Sequence, residues 1–149
     1  YTSMLFDSKR PTDITAEIWE EIGPSGPREN GINDIAATSD RKWLFAASEK
    51  GWWAIFDLQQ DICVSRKHCT LFQVNMIPSL ESIAVSPDDQ FLYMVTNEGT
   101  VESYDIQAAK TREVKSIANQ LLVKITVDPD NKFVFINSKS GNLYKYDTG

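Results

Sequence analysis

Few residues in this chain combine chemistry with a usable spacing. Four carboxylates stand in two pairs, Asp88 with Asp89 and Asp128 with Asp130, and such pairs can work as general acid and base or as oxygen ligands of a calcium ion. Asp is equally favoured in turns, where its carboxylate hydrogen-bonds the backbone just ahead, and all four sit at matching turns beside Pro87 and Pro129. We read them as turn formers. Cys63, Cys69 and His68, the only histidine, fall short of the four nitrogen or sulfur ligands that a structural zinc takes. The cysteines therefore read as a free, reduced pair in an intracellular protein. No phosphate-cradling Gly-rich loop, Gly-x-Ser-x-Gly elbow or His cluster occurs, so catalysis finds little support and neither metal nor cofactor is expected.

Recognition is the other chemistry on offer. Trp52 and Trp53 are adjacent, and in a strand their side chains point to opposite faces. Trp53 takes an aliphatic position of the pattern below, which leaves Trp52 as the candidate to be partly exposed and meet a partner; the alternative, which scattered surface aromatics favour, is that Trp52 lies under the adjacent loop as ordinary blade packing. The net charge of −6 and pI near 4.8 argue against a nucleic-acid surface. Arg66-Lys67-His68 and Lys110-Thr111-Arg112 are short enough to be solvated loops or edge strands. No apolar run approaches the length that spans a membrane, no signal peptide opens the chain, and a cytoplasmic protein is expected. With 42% hydrophobic and 11% aromatic residues there is enough apolar material for one folded domain.

The elements that position these residues repeat. From Ile83 to Ile106 the chain reads as strand, Ser86-Pro87-Asp88-Asp89 turn, strand, Asn97-Glu98-Gly99 hairpin, strand, with Phe91, Tyr93 and Val95 alternating against Gln90, Leu92 and Met94. Shifted back 48 residues the unit recurs as Ile35 to Asp40, Trp43-Leu44-Phe45, Ser48 to Gly51 and Phe56-Asp57. Shifted forward 42 it recurs as Ile125 to Asp130, Phe133-Val134-Phe135, Ser138 to Gly141 and Tyr146-Asp147. A strand-turn-strand repeat of this period is a propeller signature.

The endings Thr96 to Asp105 and Ser138 to Asp147 resemble the end of a WD repeat, with Phe56, Tyr104 and Tyr146 where that family has tryptophan. The run Val85 to Tyr93 also looks like YVTN-type propellers, known for lactonase-like enzymes and surface-layer repeats. The Gly-His pair of WD repeats is missing. Ser48, Thr96 and Ser138 keep the family's hydroxyl, while Glu49, Asn97 and Lys139 replace its usual acid. The resemblance implies an all-β protein of four-stranded antiparallel blades in an incomplete ring of about three repeats, near 8–57, 58–105 and 106–147, with residues 1–7 ending a preceding one.

Strands are expected near Ile32 to Thr38, Lys42 to Ser48, Trp52 to Asp57, Ile62 to Arg66, Leu80 to Ser86, Gln90 to Thr96, Thr100 to Asp105, Thr111 to Ser116, Gln120 to Val127, Lys132 to Ser138 and Asn142 to Asp147. Ser3 to Asp7 and Ile14 to Ile22 read as further strands, with a short helix the competing reading of Ala16 to Ile22 because it holds good helix formers, the segment from Gly23 to Gly31 reads as a loop, and the apolar connector His68 to Ser79 as folding back on the ring. Trp43, Phe91 and Phe133 are expected in the core, and Gly51, Gly99 and Gly141 at positive φ.

Half a ring leaves open edges, to be closed by the rest of a longer polypeptide, a second copy or another protein. Tyr1 is not an initiator methionine, so a piece of something longer is expected. Variation concentrates at the hairpin tips. A non-catalytic protein-interaction scaffold is therefore expected, with Trp52, Glu49, Lys50, Asn97, Glu98 and Lys139 as partner-binding residues. The rival is a propeller enzyme, lactonase-like or cofactor-dependent and dehydrogenase-like, whose site lies on blades not present here.

Overall fold

The computed structural model describes residues 31–68, 78–117 and 120–148. Eleven strands run through them: β1 (Ile32–Ala37), β2 (Trp43–Ser48), β3 (Trp52–Asp57), β4 (Ile62–His68), β5 (Leu80–Val85), β6 (Phe91–Thr96), β7 (Thr100–Asp105), β8 (Lys110–Ser116), β9 (Leu122–Val127), β10 (Phe133–Ser138) and β11 (Leu143–Asp147). They pair antiparallel, in chain order, into a sheet of β1 to β4, a sheet of β5 to β8 and a three-stranded sheet of β9 to β11. This is the all-β, propeller-like arrangement that the repeat predicts. The sequence repeats are staggered against the sheets by one strand, since β4 and β8 close one sheet while opening the next repeat. The strands expected at Ser3 to Asp7 and Ile14 to Ile22, the loop from Gly23 to Asn30, and Cys69 with the connector up to Ile77 lie outside the described residues. No described element is a helix long and apolar enough to cross a membrane.

Each turn is held by the side chains that the repeat retains. Thr38 and Ser86 give their hydroxyls to Asp40 and Asp88 (2.6 Å each) and take the backbone N–H of Trp43 and Phe91 in return. The third repeat has Asp128 there, whose carboxylate takes the Asp130 N–H. At this turn each repeat has a left-handed residue (Arg41, Asp89 and Asn131, φ 60 to 65°), a conformation that Asn and Asp tolerate and Arg rarely adopts. At the opposite end of the strands Ser48, Thr96 and Ser138 accept the N–H four residues on, from Trp52, Thr100 and Asn142. The retained hydroxyl therefore pins the hairpin tip without the histidine network of a WD repeat.

The sheets stack face to face, which explains why β6 is apolar on both sides. Leu92 and Met94 join Phe45, Ala47, Trp53, Leu80, Ile83 and Tyr104 in the core between the first two sheets, while Tyr93 and Val95 join Val101, Leu122, Ile125, Val134 and Ile136 between the second and third. One position of the repeat shows the logic. Trp53 (1% exposed) is covered by the second sheet and Val101 (5%) by the third, but Leu143, next in the series, is 75% exposed. The expected core trio needs correction. Trp43, Phe91 and Phe133 are only half-buried, at the rim of each sheet, where Arg112 lies 4.6 Å from the Phe91 ring centroid and Lys145 4.4 Å from that of Phe133. The deeper residues are Phe45 and Tyr93, two places further along the strand.

Polar ties between sheets also repeat. Asp34, Ser82 and Lys124 share one position on the first strand of each sheet. The Asp34 carboxylate accepts from the Ile83 N–H (2.9 Å) and the Ser82 hydroxyl (3.0 Å), and Ser82 Oγ in turn accepts from the Ile125 N–H (3.2 Å). Lys124 reverses the chemistry and lies 3.6 Å from Asp34. Asp89 reaches across to the first sheet's turn, accepting from Ser39 N, Ser39 Oγ and Asp40 N at 2.7 to 3.1 Å. One sheet later the matching pair is Pro87 and Asn131; proline has no N–H to give, and the enclosed Asn131 Oδ1 has no hydrogen-bond partner. Between the second and third sheets the Tyr146 hydroxyl donates to Glu113, which also pairs with Lys115 at 3.6 Å. Burial, reinforced by that carboxylate, pushes the Tyr146 phenol up to about 12, and the phenol's hydrogen bond holds Glu113 below its ordinary range.

Candidate partner-binding cleft

Three hairpin tips, 48–51, 96–99 and 138–141, come together at one end of the stacked sheets because each is tied to its own sheet's incoming chain. The N–H groups of Glu49, Asn97 and Lys139 donate to the carbonyls of Gly31, Ser79 and Leu121 at 2.8 to 3.0 Å. At the first two tips the side chain closes the loop as well: Glu49 accepts the Gly31 N–H (3.3 Å) and Asn97 accepts that of Ser79 (2.9 Å). Lysine at the third tip has no acceptor to offer. Its ammonium stays exposed.

An open cleft of about 500 Å³ lies among these tips, lined by Glu49, Lys50, Asn97 and Lys139 together with Ser79, Glu81, Leu121, Leu122 and Val123. Four of the residues that the sequence singles out at the tips therefore share one surface. Glu81 and Val123 were missed. Both are the extra residue of a bulge in the first strand pair of their sheet, as is Asn33, since the register skips from Ile32 to Asp34, from Leu80 to Ser82 and from Leu122 to Lys124. A bulge re-aims the side chain, here to the mouth of the cleft. The signal was the unlike trio Asn, Glu and Val at one repeat position between otherwise similar strands. Asn33 donates to Ser79 Oγ (3.1 Å), and Ser79 donates to Glu81, so the acidic side of the cleft is tied into the fold.

Two of the expected site residues lie elsewhere. Glu98 is half-buried, and both of its carboxylate oxygens are enclosed without a hydrogen-bond partner. Neighbouring backbone crowds this tip, where a Cβ on Gly99 would stand 2.4 Å from the Ile117 carbonyl and 2.8 Å from that of Gln120. Trp52 is 6% exposed, as the blade-packing alternative has it and not open to a partner: it packs with Ala46, Ala54 and Phe56 on the face of the first sheet away from the second, under the guanidinium of Arg66 at 5.2 Å. Cys63 is a half-buried free thiol. Among the described residues no three His, Cys, Asp or Glu side chains are close enough to hold a metal ion.

No family model matches the chain, and no curated protein does. Solved structures do: 1127 chains match, so the architecture is widely shared and does not by itself point to one function. One is hydrazine synthase of Kuenenia stuttgartiensis, a propeller-containing protein, with 22% identity and a TM-score of 0.67 over 80% of this chain and 33% of that one. The chain thus spans a third of that protein's length. At this identity the likeness carries the fold alone. The sheets, their order and this likeness agree that the chain is built of propeller-like blades.

Proposed function

We propose that this chain is a non-catalytic protein-interaction scaffold, part of a larger protein or complex, made of WD- or YVTN-like propeller repeats. The observation that supports it is the convergence of Glu49, Lys50, Asn97 and Lys139, hairpin-tip residues that differ in chemistry between repeats, on one open cleft. Charged, polar and apolar side chains alternate around it, with Leu121 54% and Val123 40% exposed. Such a mixture suits a peptide segment or loop of another protein, for which a few exposed apolar contacts supply affinity and charges supply register. Remaining blades, or a second copy, would close the open face of the third sheet.

Selection from a random peptide display library against the purified chain tests the reading. Peptides that enrich on the parent chain and are lost on a Val123→Arg variant, which fills the cleft mouth from an exposed position, are the expected result. No enrichment, or enrichment indifferent to that variant, overturns it.

A further inference from the structure

The cleft's charges are not equivalent, and their difference identifies a ligand class. Its two carboxylates are engaged within the chain: Glu49 accepts the Gly31 N–H and Glu81 accepts the Ser79 hydroxyl. Its two ammonium groups, on Lys50 and Lys139, are exposed and have no hydrogen bond or ion pair among the described residues, although the chain as a whole is acidic. Lys139 stands where the other repeats use Glu49 and Asn97 to close the tip; here Ser140 and Asn142 close it instead by donating to Gln120 Oε1 (3.2 and 3.3 Å), which leaves the ammonium outside the closure. Beside it, Leu121 and Val123 are exposed apolar side chains on the same surface.

On the reading of this cleft as a partner site, we infer that its occupant is an acidic peptide segment. Asp or Glu side chains meet Lys50 and Lys139, and an aliphatic residue sits on Leu121 and Val123. An ammonium without an internal partner keeps its hydration until a carboxylate replaces it, whereas an engaged carboxylate has less to offer a basic ligand. The cleft therefore discriminates by sign.

The test is titration of the whole chain with a fluorescent peptide of Glu, Leu and Ser, alongside its counterpart with Lys in place of Glu. The acidic peptide is expected to bind, and to weaken about tenfold or more between roughly 50 and 500 mM salt. The K50E/K139E double variant should lose at least about tenfold in affinity for it and bind the Lys peptide better than the parent does. Both positions are exposed, so an unchanged circular dichroism melt is expected and separates loss of binding from loss of fold. Equal affinity for the two peptides, absence of binding, or indifference to K50E/K139E overturns the inference. If the library selection yields cleft-dependent peptides that are not acidic, this inference fails while the scaffold reading stands.

Discussion

Lys67 on the last strand of the first sheet holds its ammonium 5.7 Å from the ring centroid of Tyr104 in the second sheet. One repeat later Lys115 stands 5.6 Å from Tyr146 in the third. The clasp thus recurs, joining the outer strand of the first and of the second sheet to the tyrosine at the matching position of the sheet that follows. A double-mutant cycle on Lys67→Met and Tyr104→Leu, read by urea unfolding, should return a coupling of about 0.5 to 1 kcal/mol in favour of the pair. A coupling at or below zero would show the two side chains to be mere neighbours.

Tyr146 gives the chain an alkaline limit. Its phenol is raised from its ordinary 10 to about 12 in the folded state, so folding favours the protonated form. That stabilisation is complete below pH 10 and is lost as pH rises from 10 towards 12. Tyr146→Phe should flatten the fall in unfolding free energy across that window, while Tyr93 and Tyr104, also raised by burial, leave a residual slope. Glu113 acts in the opposite sense. Its lowered value stabilises above about pH 4.5 and is lost on acidification, so Glu113→Gln should make the acid limb shallower.

Two hairpin glycines should respond differently to alanine. Gly99 and Gly141 both have positive φ, +88° and +94°, but a Cβ at Gly99 meets backbone carbonyls and one at Gly141 meets nothing within 4 Å. Gly141→Ala is expected to cost only the left-handed strain, on the order of 1 kcal/mol. Gly99→Ala should cost clearly more, because the obstructing atoms belong to the chain entering the third sheet and cannot swing aside. Denaturation midpoints of the two variants decide the matter, and equal losses would contradict the crowding seen at Gly99.

Position in the stack sets the cost of an apolar truncation. Trp53→Ala should destabilise by about 3 to 5 kcal/mol. Leu143→Ala, at the matching place in the third sheet, should change stability by no more than about 0.5 kcal/mol in this chain. If the remaining blades seat on that face in a longer protein, the same Leu143 substitution becomes costly there.

Most of the fold was legible because it is written locally. The bounds Trp52–Asp57 and Thr100–Asp105 follow from a glycine at one end and an Asp turn at the other, and most other strands shift by a residue or two where a turn residue such as Lys42 or Gln90 stays outside the ladder. What could not be read depends on pairing between distant residues. Asp89 reads as a turn former and its backbone closes the turn onto Ser86, but its carboxylate spans to Ser39, fifty positions away. The bulge that turns Glu81 and Val123 into the cleft exists only in the ladder with the next strand. Trp52 shows the opposite difficulty: alternation gave its face correctly, but its exposure depends on packing with Ala46, Ala54 and Phe56 beneath Arg66, which the local pattern does not contain.

The second sheet alone has a described neighbour on each side. Apart from the Lys124–Asp34 pair, packing runs between neighbouring sheets, so opening is expected from the ends inward, with the amide protons of Leu92 to Val95 exchanging most slowly and those of β11 soonest among the described strands. On this expectation local stability is graded across the described sheets, with its centre at β6 and the least protected backbone beside the exposed Leu143.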